Sequence, residues 1–208
     1  MRIFLTLLLI VCSVVLFAQK PVYSTALVNA VATFNNANHH SDYTNLIKDL
    51  EKINASNPND WIPAYYLALI HIRISINEHK DAEANADKAL YWAQKSINNN
   101  ANDETYCIYA MSYISKMAVS PLMRYVKYKS LINDNLAKAK KINPNNPRPY
   151  ILEAKLQMNL PSLFGGGCKQ AKPIIIKAQQ LMDSQSPHMV LPTWGRQSLS
   201  ELKEGCPI

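Results

Sequence analysis

The sequence predicts an all-α fold, a solenoid of about four stacked helical hairpins with a C-terminal capping helix. Two observations carry this. Asn57-Pro58-Asn59-Asp60-Trp61, Asn100-Ala101-Asn102-Asp103-Glu104 and Asn143-Pro144-Asn145-Asn146-Pro147 recur at a constant interval of 43 residues, and a further 43 reaches Pro187. Each interval between these helix-breaking marks holds two helical patterns of apolar and small residues.

The first element is a leader. Met1-Arg2, an unbroken apolar run from Ile3 to Phe17 and then Ala18-Gln19-Lys20 read as a secretory signal peptide cleaved after Ala18. The run is shorter than the roughly 20 residues that span a bilayer, and Lys20-Pro21 ends it without a stop-transfer pattern. Cys12 leaves a lipoprotein reading open. Against it, Val11 is larger than the small residue expected there, and Ser13 to Phe17 would make an apolar mature terminus. The expected organisation is therefore a signal peptide at 1–18 and one repeat domain at 19–208, exported to a periplasm or secreted. The mature chain has no other run long enough to span a membrane.

The repeats follow in order. Leu46, Leu50 and Ile53 form the second-helix stripe of a unit closed by Pro58. Trp61 to Ser75 reads as a first helix, with Ala64, Leu67, Ala68 and His71 on one face. Lys80 to Ile97 reads as its partner, where Ala82, Ala86, Ala89 and Ala93 let two helices approach closely. The next unit repeats the plan with Cys107, Ala110, Met111 and Ile114, then Tyr125, Tyr128, Ile132, Leu136 and Ala139 before Pro144. A last second-helix begins at Cys168, and a terminal helix is expected from about Thr193 to Lys203.

These core positions and junctions resemble the tetratricopeptide repeat (TPR), in which large and small residues alternate on two helices before a closing Pro. The resemblance implies a right-handed array. The standard repeat is about 34 residues, so the excess here must lie in the helix-to-helix turns or in longer helices. The C-terminal half further resembles a group of exported bacterial TPR proteins of poorly defined function. Pro121-Leu122-Met123-Arg124-Tyr125, Asn143 to Arg148, Phe164-Gly165-Gly166-Gly167 and Pro192-Thr193-Trp194-Gly195 carry that likeness. It implies an exported repeat protein with no established reaction.

The formal charge of +7 would suit nucleic acid, but the basic residues are scattered along helices instead of massed, and export argues against such a partner. Catalytic and metal constellations are missing from the sequence. His39 and His40 adjoin in a polar turn, His71 and His79 stand too far apart for a one-turn ligand pair, and His188 is alone. The expectation is a non-enzymatic interaction module without metal or cofactor.

Two surfaces compete for its function. The concave face, carried over by repeat register, comprises Asn35, Asn38, Tyr65, Leu69, Ile72, Ile108, Ser112, Arg148, Ile151 and Lys155. That mixture suits an extended peptide or protein partner with an acidic group, unless the groove is filled by the chain's own terminal helix. The other surface is an edge formed by turns between first and second helices, with Arg124, Tyr125, Phe164, Gly165, Gly166 and Gly167. Its glycines suit either a tight turn with Phe164 plugging the core or an anion site assisted by Lys169. The main expectation is a scaffold that binds a peptide on the concave face. The alternative is a small-molecule-handling accessory of a transport system.

After leader removal three cysteines remain. Cys107 falls mid-helix on an apolar face, where a free thiol packs as a small hydrophobe. If the terminal helix folds back antiparallel along the preceding one, rods of similar length return Cys206 to Cys168, which predicts a disulfide clasp.

Overall fold

The computed structural model describes residues 23–37, 43–77 and 81–207. The leader, Asn38, His39, His40, His79 and Lys80 lie outside the described residues. Within them the chain forms α1 (Thr25–Asn36), α2 (Tyr43–Ser56), α3 (Trp61–Asn77), α4 (Ala82–Asn99), α5 (Asp103–Ala118), α6 (Pro121–Ile142), α7 (Arg148–Asn159), a 3₁₀ turn (Ser162–Phe164), α8 (Cys168–Asp183) and α9 (Arg196–Gly205). Among the described residues every regular element is helical.

The junction residues begin helices as their chemistry requires. Ser24 Oγ accepts from Leu27 N–H at the start of α1. Asn102 Oδ1 accepts from Thr105 N–H at 2.9 Å while Thr105 Oγ1 accepts from Asn102 N–H at 2.9 Å, a reciprocal cap on α5. Pro121 opens α6, where a missing N–H costs nothing. The length beyond a standard repeat lies in the helices: α4 runs 18 residues and α6 runs 22.

Helices pair as α1/α2, α3/α4, α5/α6 and α7/α8, and successive hairpins touch through α2/α3, α4/α5 and α6/α7. The first helices α3, α5 and α7 also contact one another in sequence, and α9 packs on α7 and α8. This is a helical-repeat array of stacked hairpins. Its deepest element is α3, where Tyr65, Tyr66, Leu67, Ile70 and Ile72 are all buried, so the helix is apolar on nearly every side.

The recurrence of Asn at the junctions has a structural reason. Asn99 Nδ2 donates to the carbonyls of Pro58 (2.7 Å) and Asp60 (3.1 Å) one junction back. Asn143 and Asn146 Nδ2 donate to Asp103 Oδ2 at 2.8 and 2.9 Å, again one junction back. Ser115 and Ser75 repeat this lateral bond at the other end of the hairpins, at 2.8 Å. Each mark therefore breaks a helix and also ties its unit to the previous one.

Ala86, Ala89 and Ala93 of α4 have no exposed surface and form the close-contact stripe. Enlarging Ala89 or Ala93 to Leu is expected to cost about 1–3 kcal/mol by overpacking, read as a lower urea midpoint. Unchanged midpoints in both variants would contradict this packing.

Candidate functional site

Of the concave positions, Tyr65, Leu69, Ile72, Ile108, Ser112, Arg148 and Ile151 are all buried. Asn35 is exposed. Lys155 is half-buried, donating to Ser198 Oγ at 2.9 Å and standing 3.7 Å from Glu201, both on α9. The chain's own tail covers part of this face. Between α8 and α9 a strap meets Tyr65, Tyr66 and Arg148, with Val190 fully buried.

Buried side chains fasten that strap. Tyr66 Oη donates to Val190 O at 3.0 Å, Trp194 Nε1 donates to Tyr65 Oη at 2.7 Å, and Arg148 Nη2 donates to Pro192 O. Behind them Glu104 accepts from Arg148 Nη1 and Asn146 Nδ2, each at 2.9 Å, and from Tyr65 Oη at 3.4 Å. Burial pushes the Glu104 carboxyl up to about 7 against the pull of the Arg148 guanidinium, with Asp103 adding its repulsion. Burial, with Glu104 beside it, also drives the Tyr65 hydroxyl well above its ordinary value. Gly195 ends the strap at φ +123°, where an added Cβ would lie 2.7 Å from Met182 Cε and 2.9 Å from Ile151 Cδ1. Glycine is needed there for its backbone conformation, while the ends of the Met182 and Ile151 side chains occupy the space beside it. Glu104, Val190 and Trp194 were missed as a unit by sequence reasoning; the available signal was the Pro192-Thr193-Trp194-Gly195 motif.

The edge is different. Leu122 (96% exposed), Met123, Val126, Leu163 and Phe164 all face solvent. Leu122 and Val126 are one turn apart on α6, on the side that continues to Lys129. Between the neighbouring face of α6 and the 3₁₀ turn opens a cleft of about 140 Å³, lined by Met117, Tyr125, Ile132, Leu156, Leu160 and Phe164. Lys129 stands in it with Nζ 5.2 Å from the Tyr125 ring centre.

Arg124 does not line this cleft. Its guanidinium donates to Lys116 O at 3.0 Å and pairs with Glu83 at 2.6 Å, tying neighbouring hairpins together. The glycine run is a turn. The N–H groups of Gly165, Gly166 and Gly167 donate to Ser162 O, Pro161 O and Gln157 O, at 3.0, 3.2 and 2.7 Å. With those donors used, they form no anion nest. A Cβ on Gly166 would lie 2.0 Å from Leu160 O, so only glycine lets the turn close on the end of α7. Phe164 is 69% exposed and borders the cleft instead of plugging the core.

Among the described residues no group of three or more His, Cys, Asp and Glu side chains is placed to hold a metal ion. His71 Nδ1 lies 2.9 Å from Asn85 Oδ1, and burial lowers its pKa. His188 Nδ1 accepts from the N–H groups of Val190 and Leu191 within its own strap.

The fold and its surfaces define an all-helical repeat protein with a self-filled inner face and an open apolar edge. No family model matches the chain, and no curated protein matches it. Its fold is similar to the solved structure of the HusA haemophore from Porphyromonas gingivalis, with a TM-score of 0.76 and 28% sequence identity, over 89% of this chain and 93% of that one.

That likeness corrects the expected function. A scaffold holding a protein or peptide partner on the concave face is overturned, because a solved structure of similar fold is that of a haemophore. The physical reason is burial: seven of the ten concave positions are closed off from solvent, Tyr65 and Arg148 by bonds to the chain's own tail and Ser112 by bonds to Ala89 O and Ile108 O within the array.

Proposed function

We propose that this protein is an exported, non-enzymatic haem carrier on a right-handed TPR-like array, holding the tetrapyrrole against the edge formed by α6 and the 3₁₀ turn. The likeness to a haemophore supports the ligand class. The observation that carries the place is the set of solvent-facing apolar side chains Leu122, Met123 and Val126 at the start of α6 and Leu163 and Phe164 in the 3₁₀ turn, with Phe164 sharing a cleft with Tyr125 and Lys129 of α6. Large apolar side chains grouped in water mark a binding surface. A tetrapyrrole is a flat apolar ring with acidic side chains at one edge, and these side chains offer apolar contact beside the cations Lys127 and Lys129. The cleft is smaller than the roughly 300 Å³ of an enclosing ligand pocket. An open seat suits a carrier, which must release what it binds. The repeated junctions support the TPR reading, and a bridged cysteine pair supports work outside a reducing cytoplasm.

Titrating the protein with haem and following the Soret band tests this. Leu122→Glu with Val126→Glu alters two almost fully exposed side chains, so the fold should be unaffected while affinity falls at least about tenfold, or 1.4 kcal/mol. Binding equal to wild type would remove the edge as the site.

A further inference from the structure

We infer that the cleft has a polar pole, formed by Lys129 and Gln157 beside the Tyr125 ring, that receives one carboxylate of the bound ligand and so fixes which edge of the macrocycle enters. This inference rests on the haem-carrier reading. Three observations support it.

Gln157 lines the cleft from the last turn of α7, and its Oε1 is buried without a hydrogen-bond partner. A polar atom taken from water and left unpaired costs stability unless a partner arrives. Its backbone carbonyl is held by Gly167 N–H at 2.7 Å, so this residue is fixed to the glycine turn while its amide remains available. Amide oxygen and nitrogen exchange places by a half-turn of the terminal torsion, which aims NH₂ at an incoming carboxylate.

Lys129 supplies the charge. Among the described residues it makes no ion pair, and it lies in the cleft over the Tyr125 ring at 5.2 Å. Asn133, one turn further along α6, also lines the cleft and adds a second amide. The remaining walls, Ile132, Leu156, Leu160 and Phe164, are apolar. A ligand entering here meets one ammonium and two amides among walls that are otherwise mostly apolar. That pattern matches a carboxylate on an apolar ring.

The test compares haem with haem dimethyl ester, in which both carboxylates are blocked, on the full protein and on Lys129→Met, Gln157→Leu and the double variant. Wild type should bind the diacid at least tenfold more tightly than the ester. The double variant should lose that preference by weakening for the diacid alone, with ester binding unchanged. Lys129 is exposed, so Lys129→Met keeps the test decisive even if Gln157→Leu perturbs folding. Equal affinity of wild type for both ligands, or a preference that survives in Lys129→Met and the double variant, would overturn the polar pole while leaving haem carriage intact. Binding of neither ligand by wild type would overturn haem carriage itself, and the pole with it.

Discussion

Replacing Arg148 by Met is expected to cost about 3–5 kcal/mol of folding stability at pH 8, because it leaves Glu104 as a buried carboxylate without its cation. Arg148 is 3% exposed and bonds Glu104 on α5 and Pro192 O on the strap, so one side chain joins α7, α5 and the tail. The cost should depend on pH. Burial raises the folded-state pKa of Glu104 from 4.5 to about 7. A raised carboxyl contributes stability that is complete below its unfolded value and is lost as pH rises through its folded value. Removing Arg148 takes away the group that opposes this shift, so the variant should decline more steeply between pH 5 and pH 8 than wild type. At pH 5 Glu104 is mostly neutral, and the residual cost is the lost bonds to Pro192 O and to the neutral carboxyl, together with the lost packing. Urea unfolding at both pH values measures this. The same cost at both would show that Arg148 acts through packing alone.

Much of the array is legible because its determinants are local. The Asn-rich marks are read at fixed spacing, and the structure explains the spacing: Asn99, Asn143 and Asn146 each bond a junction about one period earlier. Pro187 continues the period as a breaker but leads into the strap, and α9 begins only at Arg196. The self-filled concave face was hidden because its cover comes from far along the chain: Tyr66 meets Val190 across 124 residues, and Tyr65 meets Trp194 across 129. No helical period reports such a contact.

The edge left a fainter trace. Tyr128, Ile132, Leu136 and Ala139 fall on the buried stripe of α6, whereas Leu122 and Val126 are apolar residues off it. Off-stripe apolar residues were the available signal, together with Phe164 in a turn that needed no aromatic plug. Ligand chemistry was not legible. An open surface contacts its ligand through side chains with no required spacing, unlike a metal site or a phosphate loop.

Breaking the Cys168–Cys206 bridge, by Cys168→Ser with Cys206→Ser, is expected to lower stability by about 2–4 kcal/mol. The bridge is present with Cα atoms 5.3 Å apart and its ends separated by 38 positions in the sequence, and chain entropy for a loop of that size gives about 4 kcal/mol. It joins the first residue of α8 to the residue just past α9. There the array has no further hairpin, and Leu199 and Leu202 of α9 with Cys206 just past it join a small separate core with Ile175, Ala178 and Met182. Terminal units of repeat arrays open first, since they are supported from one side only. The loss should therefore be local. Amide hydrogen exchange in α8 and α9 should accelerate well before that in α3 and α5, and the buried free thiol of Cys107 should stay unreactive until the array opens. The double change leaves no new thiol to pair with Cys107, which keeps the reading clean. An unaltered urea midpoint together with unaltered exchange in α9 would mean that packing alone holds the end of the array.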